Sequence, residues 1–365
     1  MSVAAHGPDP GAFAALLCDW CLEVQPGARV LVSSTTLAER YALAINQTLL
    51  ERDAWPFVWL TPPSLAADLH RYGGERHRSQ PPPVELTLLG GVDSLVRIDA
   101  PANTNELAGI DPALIARTAA ARGELMELAM SRRTCGTLVP TPALAQQAVM
   151  GEREYAAFVT RALFLDRADP LAAWRELSAG QAKLIERLAC ARRIRIEAEG
   201  TDLSLDVGGR TWINSDGRRN MPSGEVFTGP LEHSANGKIR FTVPTGPRGV
   251  TVTGVELTFR DGEVVDARAQ RGEDYLKAAL HTDAGACFLG ELGIGTNIGI
   301  DRPTGHILLD EKMAGTVHLA LGRSYRETGG TNRSALHWDL ICDLREGGLL
   351  SADGEAVIED GAVVG

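Results

Sequence analysis

Two glutamates, two histidines and an aspartate in the last third of the chain each sit in a glycine-studded phrase. Glu225 lies in NMPSGEVFTGP, Glu291 in GELGIGTN, His318 in DEKMAGTVHLALG, and His337 with Asp339 in GGTNRSALHWD. Carboxylate and imidazole are the donors that hard or borderline divalent metals take, and a pair of ions needs about five or six protein donors around one cleft. These phrases supply that number, so a dinuclear metal site is the leading functional idea.

Each residue also has a plainer reading. On a strand, positions i and i+2 share a face, so the HxD of His337 and Asp339 aims an imidazole and a carboxylate at one point. Alone, such a pair is more often a surface pair; the preceding GGTN strengthens the ligand reading because it lets backbone approach a cleft closely. His318 in TVHLALG stands on a strongly apolar strand, where a lone histidine is more often a hydrogen-bonded core residue than a ligand; the second histidine and the acids near it in sequence shift that balance. Glu291 in LGELGIG would carry a large desolvation cost unless it meets a cation, which a metal or a buried arginine could provide. Glu225 leaves a turn sequence into the apolar strand VFT. Glu311 in LLDEKMAG neighbours Asp310 and Lys312, and for those two a solvated charge cluster is the expected state. Tyr325 in HLALGRSY offers a phenolic donor to an oxyanion, or is simply an edge-strand tyrosine.

The remaining histidines, His6, His70, His77, His233, His281 and His306, lie in polar or loop contexts without a partner at ligand spacing. His281 in AALHTDAGA is the best placed of them to support a ligand from behind. Cys18 and Cys21 form a CxxC without the second pair a zinc ribbon needs, inside an amphipathic helical pattern, and read as small core residues. Six cysteines scattered along 365 residues make no disulfide framework. GxSxG, the P-loop pattern and a strand-borne GxGxxG are absent, which argues against serine hydrolase, nucleotide triphosphatase and dinucleotide-binding readings.

The elements that must position these residues divide at about Arg192. Before it, strand and helix patterns alternate: a helix from about Pro10 to Val24, the strand in PGARVLVSS, a helix from Ala38 to Arg52, and a strand from Pro56 to Leu60. A strand from Ser94 to Ala100, a helix over Pro112 to Met130 and a strand in TCGTLVP follow. This is the pattern of βα units and a parallel sheet. Two helical stretches, Glu152 to Leu165 and Pro170 to Ala191, read as the connector. From Arg193 onward RIRIEAEG, TDLSLDVGGR, KIRFTVPT and VELTFRDGEVVDARAQ alternate polar and apolar residues between turns, as antiparallel strands do. The expectation is an α/β domain over 1–192 and an α+β domain of mostly antiparallel strands over 193–365 that carries the metal site. A net charge of −11 and the lack of clustered Lys and Arg argue against nucleic-acid binding. No run of about 18 apolar residues is present to span a membrane, and MSVAAHGPDPG lacks the features of a signal peptide, so the cytoplasm is the expected location.

Together NMPSGEVFTGP, GELGIGTN, LDEKMAGTVHLALGRSY and GGTNRSALHWD closely resemble the aminopeptidase T family of metallopeptidases, the M29 family, which includes enzymes of the leucyl aminopeptidase and aminopeptidase II type. The resemblance covers roughly Arg193 to Leu344, with the first half fitting only loosely. It implies a two-domain hydrolase acting on short peptides, with two divalent ions (Zn, Co or Mn) in the C-terminal domain and a homodimeric assembly. Carried over by motif, the metal ligands would be Glu225, Glu291, His318, His337 and Asp339, and the catalytic residues Glu311 and Tyr325. Glu311 would take the proton of a water activated by the two metals, and Tyr325 would stabilise the oxyanion. EKMAGTV is longer than the ENxxxH form of the characterised peptidases, which puts the reach of Glu311 in question, and the interval from His318 to His337 is shorter.

A related branch on the same scaffold cleaves dihydroxypyridine rings with one non-haem Fe(II). There a phrase resembling HIGWG places a histidine where this chain has Glu291, completing a His/His/Asp triad suited to iron and O₂. Glu at that position, with Glu225 retained, favours two Lewis-acidic ions over one redox iron.

Overall fold

Apolar strands flanked by amphipathic helices cover the first half of the chain, and four of them, joined by a two-residue strand from beyond Arg192, assemble into a parallel sheet in the order Trp55–Thr61, Arg29–Thr35, Ser94–Asp99, Arg133–Leu138, Asn220–Met221. The computed structural model describes residues 7–246 and 250–364. Its two compact units are residues 1–172 with 217–222, and residues 173–216 with 223–365. The helix Pro170–Leu188 thus falls almost wholly in the second unit, where Leu184 and Leu188 join the core, and the contact boundary precedes Arg192.

Two helices of the first unit differ from their sequence patterns. The first is α-helical only over Pro10–Leu16, capped by the Asp9 carboxylate on the Ala12 N–H at 2.8 Å. It then widens into a π-turn, Leu17–Cys21, in which the Leu22 N–H donates to the Leu17 carbonyl. The π-turn buries Cys18 and Cys21, as core residues of that stretch should be. The long pattern from Pro112 to Met130 breaks into Pro112–Ala121 and Gly123–Met130. The break falls at Arg122, next to a glycine, the weakest helix former after proline.

The second unit pairs two antiparallel sheets. Eight strands run in the order Glu263–Arg268, Val255–Arg260, Asn236–Phe241, Thr201–Asp206, Arg193–Ala198, Leu349–Ala352, Glu355–Glu359, Ala362–Val363. Five more run in the order His337–Asp343, Thr316–Gly322, Leu289–Gly295, Glu225–Thr228, Ile213–Ser215. Ile194, Leu203, Ile239 and Leu257 of the larger sheet share one buried core with Leu292, Ile294, Leu319 and Leu340 of the smaller. Because side chains alternate along a strand, packing these residues into the core commits their neighbours to the other face. On the five-stranded sheet that other face carries the candidate site. Among the described residues no helix is long and apolar enough to cross a membrane.

Candidate metal centre

Register across the five-stranded sheet brings the sequence-predicted residues together. Directly opposed residues of antiparallel strands project to the same face. Glu291, Ala320 and Asp339 form one such row; Phe227, Gly293, His318 and Ile341 form the next. Gly322 opposes His337, and Gly295 opposes Glu225. A register shift between Leu289 and Glu291 helps aim the latter, as bulges beside functional sites do. Small residues stand beside the functional ones for a steric reason: a β-carbon on Gly293 would overlap the His318 ring.

The result is two groups of donors that share one residue. Glu225, Glu291 and His318 form the first, and Glu291, His337 and Asp339 the second; within each, the ligand atoms lie within 4.8 Å of one another. Nε2 of His318 is 3.4 Å from Glu291 Oε1 and 3.5 Å from Glu225 Oε2. Nε2 of His337 is 3.6 Å from Glu291 Oε2 and 3.6 Å from Asp339 Oδ1. Glu291 therefore turns one oxygen to each histidine. The other ring nitrogen of His337, Nδ1, lies 2.8 Å from the Arg323 carbonyl, which sets the imidazole so that Nε2 faces the carboxylates. Tyr325, 36% exposed, stands edge-on to the His337 ring at 5.3 Å between centroids and 5.5 Å from Phe227.

Asp310 and Lys312 are not a solvated charge cluster. Asp310 is buried and accepts hydrogen bonds from the Thr304 N–H (2.7 Å), the Thr304 hydroxyl (2.8 Å) and the Gly305 N–H (2.8 Å). Lys312 is 0% exposed; its Nζ donates to Glu225 Oε1 at 3.0 Å and to Glu311. The short helix Ile307–Asp310 folds the phrase back, and the Asn297 N–H binds the Lys312 carbonyl at 2.9 Å, so the ammonium is delivered into the cluster. The longer loop to His318 leaves Glu311 beside Lys312, at the edge of the same donors.

Burial raises the carboxyls of Glu291 and Asp339 and lifts Glu311 to about 7. Glu225 is held below its ordinary value: burial opposes its charge, but Lys312 and His318 outweigh it. Burial also works against a charged His318, yet Glu291 and Glu225 push it up to about 9. Tyr325 is raised by the partial burial of its ring and by Glu291 and Asp339, which keeps its phenol protonated. Four carboxylates gather here around one lysine, which meets Glu225 and Glu311, and two histidines, which face Glu225, Glu291 and Asp339. Buried acids that outnumber their cationic partners are costly, and divalent cations would relieve that cost, so these donors fit metal ions.

Three supports were not visible in the motifs. The Gln181 amide, on the helix Pro170–Leu188, donates to the Glu225 carbonyl at 2.7 Å and to the Thr296 hydroxyl at 3.1 Å. The Asn297 amide donates to the Ser223 carbonyl at 2.7 Å, and a β-carbon on Gly224 would meet Asn297 at 2.8 Å. Lys312 had one clue, a charge set between apolar LL and MAG. His281 does not back the site; it is exposed, with Nδ1 on the Lys277 carbonyl of its own helix at 2.6 Å. His6 lies outside the described residues.

The profile of the thermophilic metalloprotease family, M29, matches residues 11–363, first half included. The chain belongs to the M29 family. Aminopeptidase 2 of Geobacillus stearothermophilus is 34% identical to this M29 chain over 262 residues, 64% of the chain and 62% of the relative. Aminopeptidase T of Thermus aquaticus is 32% identical over 238 residues, 56% and 55% of the two chains. The match thus spans less than two thirds of these relatives. The structure of wild-type AmpT from Thermus thermophilus superposes with a TM-score of 0.84 over 98% of this chain and 99% of that one; at 22% identity the likeness concerns the fold.

Proposed function

We propose that this M29 chain is a metal-dependent aminopeptidase that removes N-terminal residues from short peptides, and that Glu225, Glu291, His318, His337 and Asp339 hold two divalent ions, Zn, Co or Mn. The observation that carries the reading is Glu291, whose two oxygens face two histidines, each backed by a further carboxylate. The relatives named aminopeptidase support the reaction class. Bound there, the ions would supply the Lewis acidity that makes water nucleophilic near neutral pH.

The chain's own residues do the rest. Glu311 is the proton acceptor: its carboxylate takes the proton of the attacking water and returns it to the leaving amine. Tyr325, its phenol kept protonated, donates a hydrogen bond to the carbonyl oxygen as negative charge develops there. The surrounding carboxylates favour a free, cationic amino terminus, which directs cleavage to the chain end. A cytoplasmic homodimer completes the reading, and sedimentation of the purified protein tests the dimer.

The deciding experiment measures metal content by plasma mass spectrometry on protein purified without added metal, then turnover of aminoacyl-p-nitroanilides with Zn, Co or Mn. About two equivalents per chain with exopeptidase turnover is the expected result. One equivalent of iron, O₂ uptake with hydroxylated pyridines and no peptidase activity would overturn it.

A further inference from the structure

Lys312 is the one member of the cluster with no place in the reaction as described above. Its backbone is anchored beside the site. Gly295 opposes Glu225 in the sheet, and a β-carbon on Gly295 would run into the Lys312–Met313 backbone, so the lysine main chain passes directly over the glycine. The Asn297 N–H fixes the Lys312 carbonyl at 2.9 Å, and the Ala314 N–H returns to the Asn297 carbonyl at 3.2 Å. From this anchored backbone the ammonium reaches Glu225 Oε1 at 3.0 Å and Glu311 on its other side. Oε2 of Glu225, which has no hydrogen-bond partner, is the oxygen turned to His318.

We infer that Lys312 is a positioning residue that apportions the carboxylates: it occupies Glu225 Oε1, so that Glu225 offers a single oxygen to an ion, and it holds Glu311 outside the donor set, as a base and not a ligand. An ammonium suits this task because it is compact, is held charged here by the Glu225 and Glu311 carboxylates on either side, and while protonated cannot itself bind a cation. A neutral residue at 312 would leave two buried carboxylates without a counter-charge beside the metals. They would then turn to the ions. The inference rests on the two-metal reading and adds the division of labour within it.

The test uses Co(II)-loaded full-length protein, in which d–d absorption reports coordination number and chelator competition reports the affinity of each ion. Glu311→Gln should keep both affinities and the wild-type spectrum. Lys312→Met should change the spectrum and the affinity of one ion, by about the 10–100-fold seen when residues that orient ligands are replaced. The double variant Lys312→Met/Glu311→Gln removes one charge of each sign. It carries the test if Lys312→Met alone does not fold, and should likewise differ from Glu311→Gln in spectrum and in the affinity of one ion. If both Lys312 variants bind two ions with unaltered spectra, Lys312 is merely structural and the inference is overturned, with the two-metal reading intact. A wild-type protein that takes up no ions overturns the metal reading itself.

Discussion

Gly293 lies directly across the strand pair from His318, in the space the imidazole needs: a β-carbon on the glycine would overlap the ring. The glycine belongs to the site even though it contributes no chemistry. Gly293→Ala should swing His318 away from Glu225 and Glu291, weaken binding of the ion proposed for those three residues, and lower turnover by about 100-fold, as small misplacements of reacting groups do. Its thermal unfolding and metal content would be compared with the wild type. Unchanged metal content would mean that the backbone yields instead.

His337→Ala and Asp339→Ala each remove a donor from the group that Glu291 completes on its other side. Both should lose metal and hydrolysis while far-ultraviolet circular dichroism stays close to wild type, because the core face of that strand is untouched. Full activity with normal metal content in either variant would sink the assignment.

Glu311→Gln keeps the shape of the side chain but cannot accept a proton. Turnover should fall about 10²–10⁴-fold with KM little altered, the range expected for loss of a general base. Metal analysis of the same preparation is the control, since loss of ions would make Glu311 a ligand.

In chelator-treated protein the direction of pH dependence follows from the raised groups of the cluster, Glu311 and His318 among them. Folded Glu311 sits near 7 against an ordinary 4.5, and folded His318 near 9 against 6.5. Each binds its proton more tightly when folded, so its contribution to stability is fully present below the ordinary value and lost as pH rises through the folded one. Glu225, held low, acts oppositely: its contribution is present above 4.5 and lost only as pH falls through its folded value. The metal-free unfolding temperature should therefore drop between about pH 4.5 and pH 9. Zn-loaded protein should gain on its metal-free form across the same range, because bound ligands are deprotonated. A metal-free unfolding temperature that rises with pH would contradict the assigned environments of Glu311 and His318.

Much of this was legible in the sequence for one physical reason: side chains alternate along a strand. TVHLALG and GELGIG put their leucines, valine and isoleucine on one face, so His318 and Glu291 had to occupy the other with the glycines, and HWD placed His337 and Asp339 together. Before residue 140 a different signal, apolar strands alternating with helices, marks the parallel sheet. What only the tertiary structure decided is which charges meet across strands. Lys312 looked solvated because its neighbours in sequence are charged; its burial depends on how the backbone after Glu311 crosses Gly295, a contact between segments that local pattern does not encode. Asp310 turned inward because the Thr304 and Gly305 donors come back to it around a turn, and the division of Glu291 between two histidines exists only once three strands are in register. Periodicity determines the face a residue occupies, whereas register and loop crossings determine its partners, and in a desolvated cluster the partners set the chemistry.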